Sequence, residues 1–177
     1  MLNKTQVTAE ICKRSFYRFS YEAFKVLHNG SEWVDNWHIE FLCDKVQKEV
    51  ERIIRGEERI KHLVINVPPR TLKSELFNVF LSAYVWTLKN DFKFISTSYS
   101  SRLSMKLSVK ARIVIESDWY KEHFPDVILS KDNNTKIEYT TSTGGLRYCT
   151  STGGSVTWEG ADIVLIDDPQ NPRLARS

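Results

Sequence analysis

The chain is poor in the residues that mark several protein classes. Its 177 residues include three cysteines, seven glycines and five prolines. The cysteines, Cys12, Cys43 and Cys149, have neither metal-type nor redox-type spacing, and their odd number argues against a disulfide framework, so a reducing compartment is expected. No stretch approaches the roughly 20 apolar residues that span a membrane. Residues 1–10 are polar and mixed, unlike a signal peptide. The sequence therefore predicts no membrane association.

The overall composition is that of a soluble globular protein. Hydrophobic residues make up 41% and charged residues 27% of the chain, which are ordinary proportions. The length suffices for one domain with a sizeable core. The net charge of +3 permits contact with nucleic acid without implying it.

One segment after an apolar run has the layout of a nucleotide-phosphate loop. Residues 67–74 form a turn that ends in Lys73 and Ser74 and leads into a predicted helix. Backbone N–H groups of such a turn, together with the helix dipole, attract phosphate. Lys73 would reach the β and γ phosphates, and the Ser74 hydroxyl would bind Mg²⁺. Val67 and Leu72 stand where this motif has glycine, and positive φ at Leu72 would cost roughly 1–2 kcal/mol. The alternative is an ordinary strand-to-helix turn with a solvated lysine.

A second element near the end of the sequence strengthens the nucleotide interpretation. Residues 161–168 predict a short strand, buried on both faces, that ends in Asp167 and Asp168. Ligands of open α/β sheets bind beyond the carboxyl ends of the strands. Asp167 is expected to hold Mg²⁺, mainly through its waters, and Asp168 to orient or deprotonate the attacking water. The alternative is that both acids simply cap a turn before Pro169.

The remaining pattern alternates strands and helices, which predicts an α/β fold with a parallel sheet. The predicted helices cover residues 8–28, 36–56, 73–89 and 101–116, the predicted strands cover 61–67, 92–99 and 161–168, and a hairpin pairs 136–141 with 146–151. Asn36 is a candidate cap for the second helix. Residues 118–136 look irregular.

Two groups of basic residues allow more than one interpretation. Arg102, Lys106 and Lys110 recur every four residues and would form a stripe that follows a DNA backbone or meets an acidic subunit surface. The alternative is a solvated helix face. In the predicted helix 8–28, basic and aromatic residues mix, as in some single-strand binders. Packing of its rings into the core is the favoured interpretation.

With these residues in place, the chain resembles the N-terminal ATPase portion of a phage terminase large subunit, the motor that packages DNA into proheads. The similarity runs from about Trp37 to the end of the sequence. The matching segments are residues 37–39, 65–70, 73–75, 97–100, 116–120, 124–126, 144–145, 153–155, 160–162 and 166–169. So many short matches in one order are more specific than either nucleotide motif.

The resemblance implies a fold and a domain organisation. The expected fold is α/β, with a P-loop NTPase-like parallel sheet flanked by helices, incomplete at its C-terminal side and carrying an inserted β-hairpin. Residues 1–35 would form an N-terminal helical segment and residues 36–177 a partial ATPase domain. The sequence stops at Ser177, before the coupling motif and the nuclease domain of terminases. The coupling strand would lie between the phosphate-loop strand and the acidic strand.

The resemblance also implies roles for individual residues. The expected ATP-binding residues are Pro69, Arg70, Thr71, Leu72, Lys73, Ser74 and His38. Ser74 and Asp167 would hold Mg²⁺. Arg70 would contact the γ-phosphate and couple hydrolysis to movement. Asp168 would be catalytic, at a position where many relatives carry a glutamate that is one methylene longer. His38, beside Trp37, would lie against the adenine base.

The implied partners are double-stranded viral DNA, the small terminase subunit and the portal protein, in the cytoplasm of a bacterial host. The full-length protein would assemble into a homo-oligomeric ring. Two alternatives stay open. In the first, the chain is a truncated, non-catalytic terminase remnant that binds nucleotide weakly or not at all. In the second, it is a helicase-like ATPase that shares the layout of strand and acids.

Overall fold

The computed structural model describes residues 3–58, 62–153 and 160–170. The helices are α1 (Lys4–Arg14), α2 (Phe16–Leu27), α3 (Trp37–Ile54), α4 (Lys73–Glu75), α5 (Leu81–Leu88), α6 (Ser101–Glu116) and α7 (Asp118–His123), and a π-helical turn (Leu76–Phe80) joins α4 to α5. The strands are β1 (Lys93–Ser98), β2 (Leu129–Asn134), β3 (Glu138–Thr141), β4 (Leu146–Ser151) and β5 (Ile163–Asp167). None of these helices combines the length and apolarity that crossing a bilayer requires.

The strands form one mixed sheet in the order β2-β3-β4-β1-β5. β4 and β5 run parallel to the central β1, whereas β2 and β3 run antiparallel to their neighbours. The predicted α/β class and the predicted hairpin are confirmed. The sheet is mixed and not all-parallel as predicted, because β2 and β3 run antiparallel, and the hairpin strand β4 is itself part of the sheet. The short connection 142–145 allows β3 only an antiparallel approach to β4.

Helices pack on one face of the sheet. Along β1, the side chains of Phe94, Ser96 and Ser98 share a face, and Ser98 contacts Ser104 of α6 through a hydroxyl–hydroxyl hydrogen bond of 2.9 Å. The π-helical turn lies on this same side, next to β5. On the other face Val164 and Ile166 of β5 are 54% and 64% exposed. The expectation that β5 is buried on both faces is therefore wrong for the described residues.

Aromatic side chains of α2 belong to the same core as the helices behind the sheet. Phe16 and Phe19 are fully buried and pack against Tyr84 of α5, with ring centroids 5.0 and 5.7 Å apart. Each fully buried ring contributes about 1.5–3 kcal/mol. Core packing thus accounts for the aromatic face of the predicted helix 8–28. That helix is broken at Ser15, whose backbone is extended and whose side chain accepts the Arg18 N–H to cap α2.

The predicted strand 61–67 is not formed in its described part, residues 62–67. Strand preference needs a neighbouring strand to pair with. β5, the nearest candidate, is the edge strand of the sheet. A cleft of ≈ 680 Å³ separates β5 from residues 62–66 and is closed on another side by α3. Leu63 and Val64, which line this cleft, are 53% and 79% exposed.

Two further local predictions are wrong. The stretch 118–136, expected to be irregular, contains α7 and β2. Ser117 caps α7 by accepting the Tyr120 N–H. This cap marks the start of a helix, although the turn residues that follow in the sequence favour irregular structure. Asn36 precedes α3, but its side chain makes no capping hydrogen bond.

We expect the chain to self-associate through β5, because an edge strand with exposed apolar side chains pairs readily with another copy. Val164→Lys places a charge on this edge and should raise the monomer fraction several-fold in sedimentation velocity. Ile113→Lys is the matched control, since Ile113 lies on α6 and is 48% exposed. It should leave the monomer fraction unchanged. A wild-type chain that stays monomeric up to high concentration would contradict this expectation.

Candidate functional site

The turn before α4 has an unusual backbone. Arg70 and Leu72 adopt positive φ values of 66° and 61°. Asp168, after β5, has φ 44°, and these are the non-glycine residues with positive φ among those described. Left-handed conformations disfavour L-residues and persist where the surrounding structure enforces them, often at functional sites. All three lie in the two segments that the sequence assigns to phosphate and metal binding.

This backbone prepares the turn to accept an anion. Leu72 is left-handed (φ 61°, ψ 5°) and Lys73 begins the helical run. A left-handed residue followed by a right-handed one directs successive N–H groups into one concavity, which binds anions. The first N–H groups of a helix also lack acceptors within the helix. The turn is closed by the Thr71 hydroxyl, which donates to the Pro68 carbonyl over 2.8 Å.

Lys73 joins the turn to both aspartates. Its Nζ lies 2.8 Å from Asp168 Oδ1 and 3.2 Å from Asp167 Oδ1. The hydrogen bond to Asp168 raises the pKa of Lys73 above its usual value; partial burial opposes this shift and Asp167 adds to it. The sequence places these groups at two separate strand-end positions, and the structure brings them together. The turn and the acid pair therefore lie side by side, as the nucleotide hypothesis requires.

The two aspartates occupy different environments. Asp167 is 6% exposed and ends β5, level with Ser98 of β1, which is in turn level with Ser151 of β4. The carboxyl ends of three parallel strands thus meet at Asp167, as expected for a ligand site of an α/β sheet. The side chain of Asp168 is 61% exposed. Its carbonyl accepts the Tyr99 N–H over 3.1 Å, which helps to hold its left-handed backbone.

Two buried residues that were not predicted lie behind Asp167. The side-chain amide of Asn78 donates to Asp167 Oδ2 over 3.2 Å. Arg147 of β4, fully buried, donates to the backbone carbonyl of Asn78. The signal in the sequence is one polar residue inside the apolar run 76–81 and one arginine inside a strand. Neither position reveals its partner without the fold.

Glu75 is the centre of a second polar cluster, beside the turn. Its carboxylate contacts His28 Nε2 at 2.8 Å and accepts a hydrogen bond from Lys110. Burial alone raises the pKa of a carboxyl, but the bonds from Lys110 and His28 outweigh it and lower the pKa of Glu75. Lys110, 30% exposed, is therefore paired with Glu75, and the predicted basic stripe with Arg102 and Lys106 is incomplete.

The other predicted residues are placed less closely. Ser74 is half-buried in the first helical turn, next to Lys73, whereas Pro69 and Arg70 are exposed. Arg70 has no hydrogen bond or ion pair within the described ranges. His38 lies in the first turn of α3, with its Nε2 enclosed and without a hydrogen-bond partner among the described residues. No described polar contact joins His38 to the turn or to the aspartates, so its adenine role stays a prediction.

The donor set fits Mg²⁺ carried by a nucleotide better than a metal held by protein alone. Among the described residues there is no group of three or more His, Cys, Asp or Glu side chains placed to hold a metal ion. Mg²⁺ typically takes one or two carboxylates and completes its shell with phosphate oxygens and water. Asp167 and Asp168, both within 3.2 Å of Lys73 Nζ, are carboxylates of the kind that this smaller set requires, and the role of Ser74 in it stays a prediction.

Comparisons of the chain with protein-family models, with curated proteins and with solved structures give no significant match.

The strain at Leu72 predicts that the usual stability order of alanine and glycine variants is reversed at this position. Leu72→Gly and Leu72→Ala both remove the same packing, but only glycine relaxes the positive φ. The glycine variant should therefore be more stable than the alanine variant by about 1 kcal/mol in urea unfolding. At Thr71, whose φ is not positive, glycine should be less stable than alanine by about 0.5 kcal/mol. If the glycine variant were less stable than the alanine variant at Leu72 as well as at Thr71, the backbone of Leu72 would be unstrained.

The Glu75 cluster predicts a pH-dependent loss of stability. A carboxyl with a lowered pKa in the folded state stabilises the protein above its unfolded pKa of about 4.5, and this contribution disappears as pH falls through the folded pKa. Glu75→Gln should cost about 1–3 kcal/mol at pH 7 and progressively less below pH 4.5, measured by urea unfolding. Glu116→Gln is the control, because its contact with Arg112 is exposed and long, 3.8 Å. If Glu75→Gln lowered the free energy of unfolding equally at pH 7 and below pH 4.5, the ionic interpretation would be contradicted.

Proposed function

We propose that the chain binds ATP and Mg²⁺ between the Lys73–Ser74 turn and the Asp167–Asp168 pair, and that it is the ATPase part of a DNA-packaging motor of the terminase large-subunit kind. The observation that carries the nucleotide site is the position of Lys73 Nζ between the two carboxylates. It unites a phosphate-type turn, a helix start and two acids at one strand end. We assign the sheet to the P-loop NTPase-like class on the same grounds.

Lys73 acts in this proposal by exchanging partners. Without nucleotide, its ammonium group is neutralised by Asp167 and Asp168. Because Asp168 is largely exposed, its pairing with Lys73 is worth only about 0–1 kcal/mol. A triphosphate offers Lys73 several charged oxygens in place of the two carboxylates, and the N–H groups of the turn bind the phosphate oxygens that Lys73 meets.

This exchange frees the carboxylates for the second half of the site. Released from Lys73, Asp167 would be the residue that holds Mg²⁺ through its waters, and Asp168, which faces solvent, would orient or deprotonate an attacking water. Mg²⁺, when bound, neutralises charge on the β and γ phosphates. Lys73 and Arg70 supply the remaining positive charge by position, which is the main form of catalysis in phosphoryl transfer.

The assignment to DNA packaging rests on the ordered sequence resemblance. The segments that carry it include the turn and the acid pair, and their joining at one site supports the proposal. Double-stranded DNA, the small terminase subunit and the portal protein are the corresponding proposed partners. Arg70, exposed at the turn and free of described contacts, is available to meet the γ-phosphate.

A second candidate is a chain that binds nucleotide without hydrolysing it. Two observations favour it over a helicase-like ATPase. The edge of β5 faces an open cleft instead of a further strand, and Asp168 is shorter than the glutamate expected at the catalytic position. Both candidates require the Lys73 site, and they differ in turnover.

Lys73→Ala should weaken binding of a fluorescent ATP analogue by roughly 10–100-fold, because it removes charge-assisted hydrogen bonds worth about 1.5–3 kcal/mol. Asp168→Asn should preserve binding and lower ATP turnover by roughly 10²–10⁴-fold, the range for loss of a general base. Lys89→Ala is the control, since Lys89 pairs with Asp91 at the far end of α5.

The outcomes separate the candidates. Binding with measurable turnover supports the motor ATPase. Binding that depends on Lys73, with no turnover in the wild type, supports the non-catalytic chain. Equal binding by wild type and Lys73→Ala would remove the proposed site altogether.

A further inference from the structure

Asn78 is a polar residue in a place that packing alone would give to an apolar one. It is 4% exposed and lies within the run Leu76–Leu81, whose other members are all hydrophobic and buried. A buried amide is unfavourable unless it is hydrogen-bonded. In the described part of the chain, the hydrogen bond of the Asn78 side chain goes to Asp167 Oδ2 over 3.2 Å. The amide must present its NH₂ group there, since its oxygen would repel the carboxylate.

The backbone around Asn78 is adapted to this contact. Residues Leu76–Phe80 form a π-helical turn, and the Leu81 N–H bonds to the Leu76 carbonyl five residues back. Such turns are rare, often mark functional sites, and alter the direction of side chains within a helix. The carbonyl of Asn78 is held in turn by the buried guanidinium of Arg147. Asn78 is thus fixed from the side of the sheet as well as by its own helix.

The two oxygens of Asp167 have different partners. Lys73 takes Oδ1 and Asn78 takes Oδ2. The side chain of Lys73 is long, flexible and partly exposed, so that a triphosphate can attract it. The side chain of Asn78 is short and buried. When Lys73 leaves, the bond from Asn78 keeps the carboxylate from rotating.

We propose that Asn78 is a positioning residue that fixes Asp167 by Oδ2, so that Oδ1 is aimed at the metal shell of a bound Mg²⁺–nucleotide; this inference rests on the proposed function. Residues that orient a metal-associated ligand without touching the metal typically change metal affinity by 10–100-fold when replaced. Asn78 therefore acts on the magnesium-dependent part of nucleotide binding. It leaves the contacts of the turn with phosphate unaffected.

The test compares the Kd of a fluorescent ATP analogue in EDTA with its Kd in excess Mg²⁺, for the full chain. The ratio of the two measures how much magnesium strengthens binding. Asn78→Ala and Asn78→Leu both remove the amide, and they differ in whether the vacated space is filled. Ser82→Ala is the matched control, because Ser82 is equally buried, lies four residues further along the same helical run and has no described hydrogen-bond partner.

We expect the ratio to fall about 10-fold in both Asn78 variants, with the Kd in EDTA unchanged, and to stay at the wild-type value in Ser82→Ala. An unchanged ratio in the Asn78 variants would overturn the inference. So would a parallel loss of both affinities, or the loss of a cooperative melt in both variants, since these are the results of a purely structural role. Absence of nucleotide binding by the wild type would instead reject the proposed function, and the inference with it.

Discussion

One ammonium group between two carboxylates organises this molecule around its candidate site. Lys73 begins the helical run that crosses behind the sheet, Asp167 ends the edge strand β5, and Asp168 directly follows it. Their contact therefore ties the two segments together at the carboxyl ends of the parallel strands. A metal-bound triphosphate would separate the same charged groups, Lys73 and the two aspartates, whose contact joins the two segments in its absence. The same groups therefore contribute to folding and to binding.

The backbone at the candidate site is strained. Arg70, Leu72 and Asp168 are all left-handed, and none is a glycine. At roughly 1–2 kcal/mol each, this strain must be offset by packing and hydrogen bonding elsewhere. The aromatic core of α2 and α5 supplies a large part, and the Glu75 cluster with His28 and Lys110 anchors the first helical turn directly. A rigid frame thus supports a turn whose shape suits an anion.

How far the sequence predicts this arrangement depends on the range of each interaction. The turn and the acid pair follow from local patterns and from the rule that strand ends share an edge, so their meeting was predictable. The strand at 61–67 was wrongly predicted, because strand formation depends on a neighbour that local preference does not reveal. Lys110 was assigned to a surface stripe because its partner, Glu75, lies 35 residues away. Asn78 escaped notice because a π-helical turn changes which side of a helix faces the site.

The most direct measurement is a crystal structure of the chain with Mg²⁺ and a non-hydrolysable ATP analogue. We expect the β and γ phosphates to lie within hydrogen-bond distance of Lys73 Nζ and of the backbone N–H groups at 72–74. We also expect the contact between Lys73 and Asp168 to be broken. A nucleotide bound elsewhere, or a Lys73 that stays between both aspartates with the nucleotide present, would contradict the proposed site.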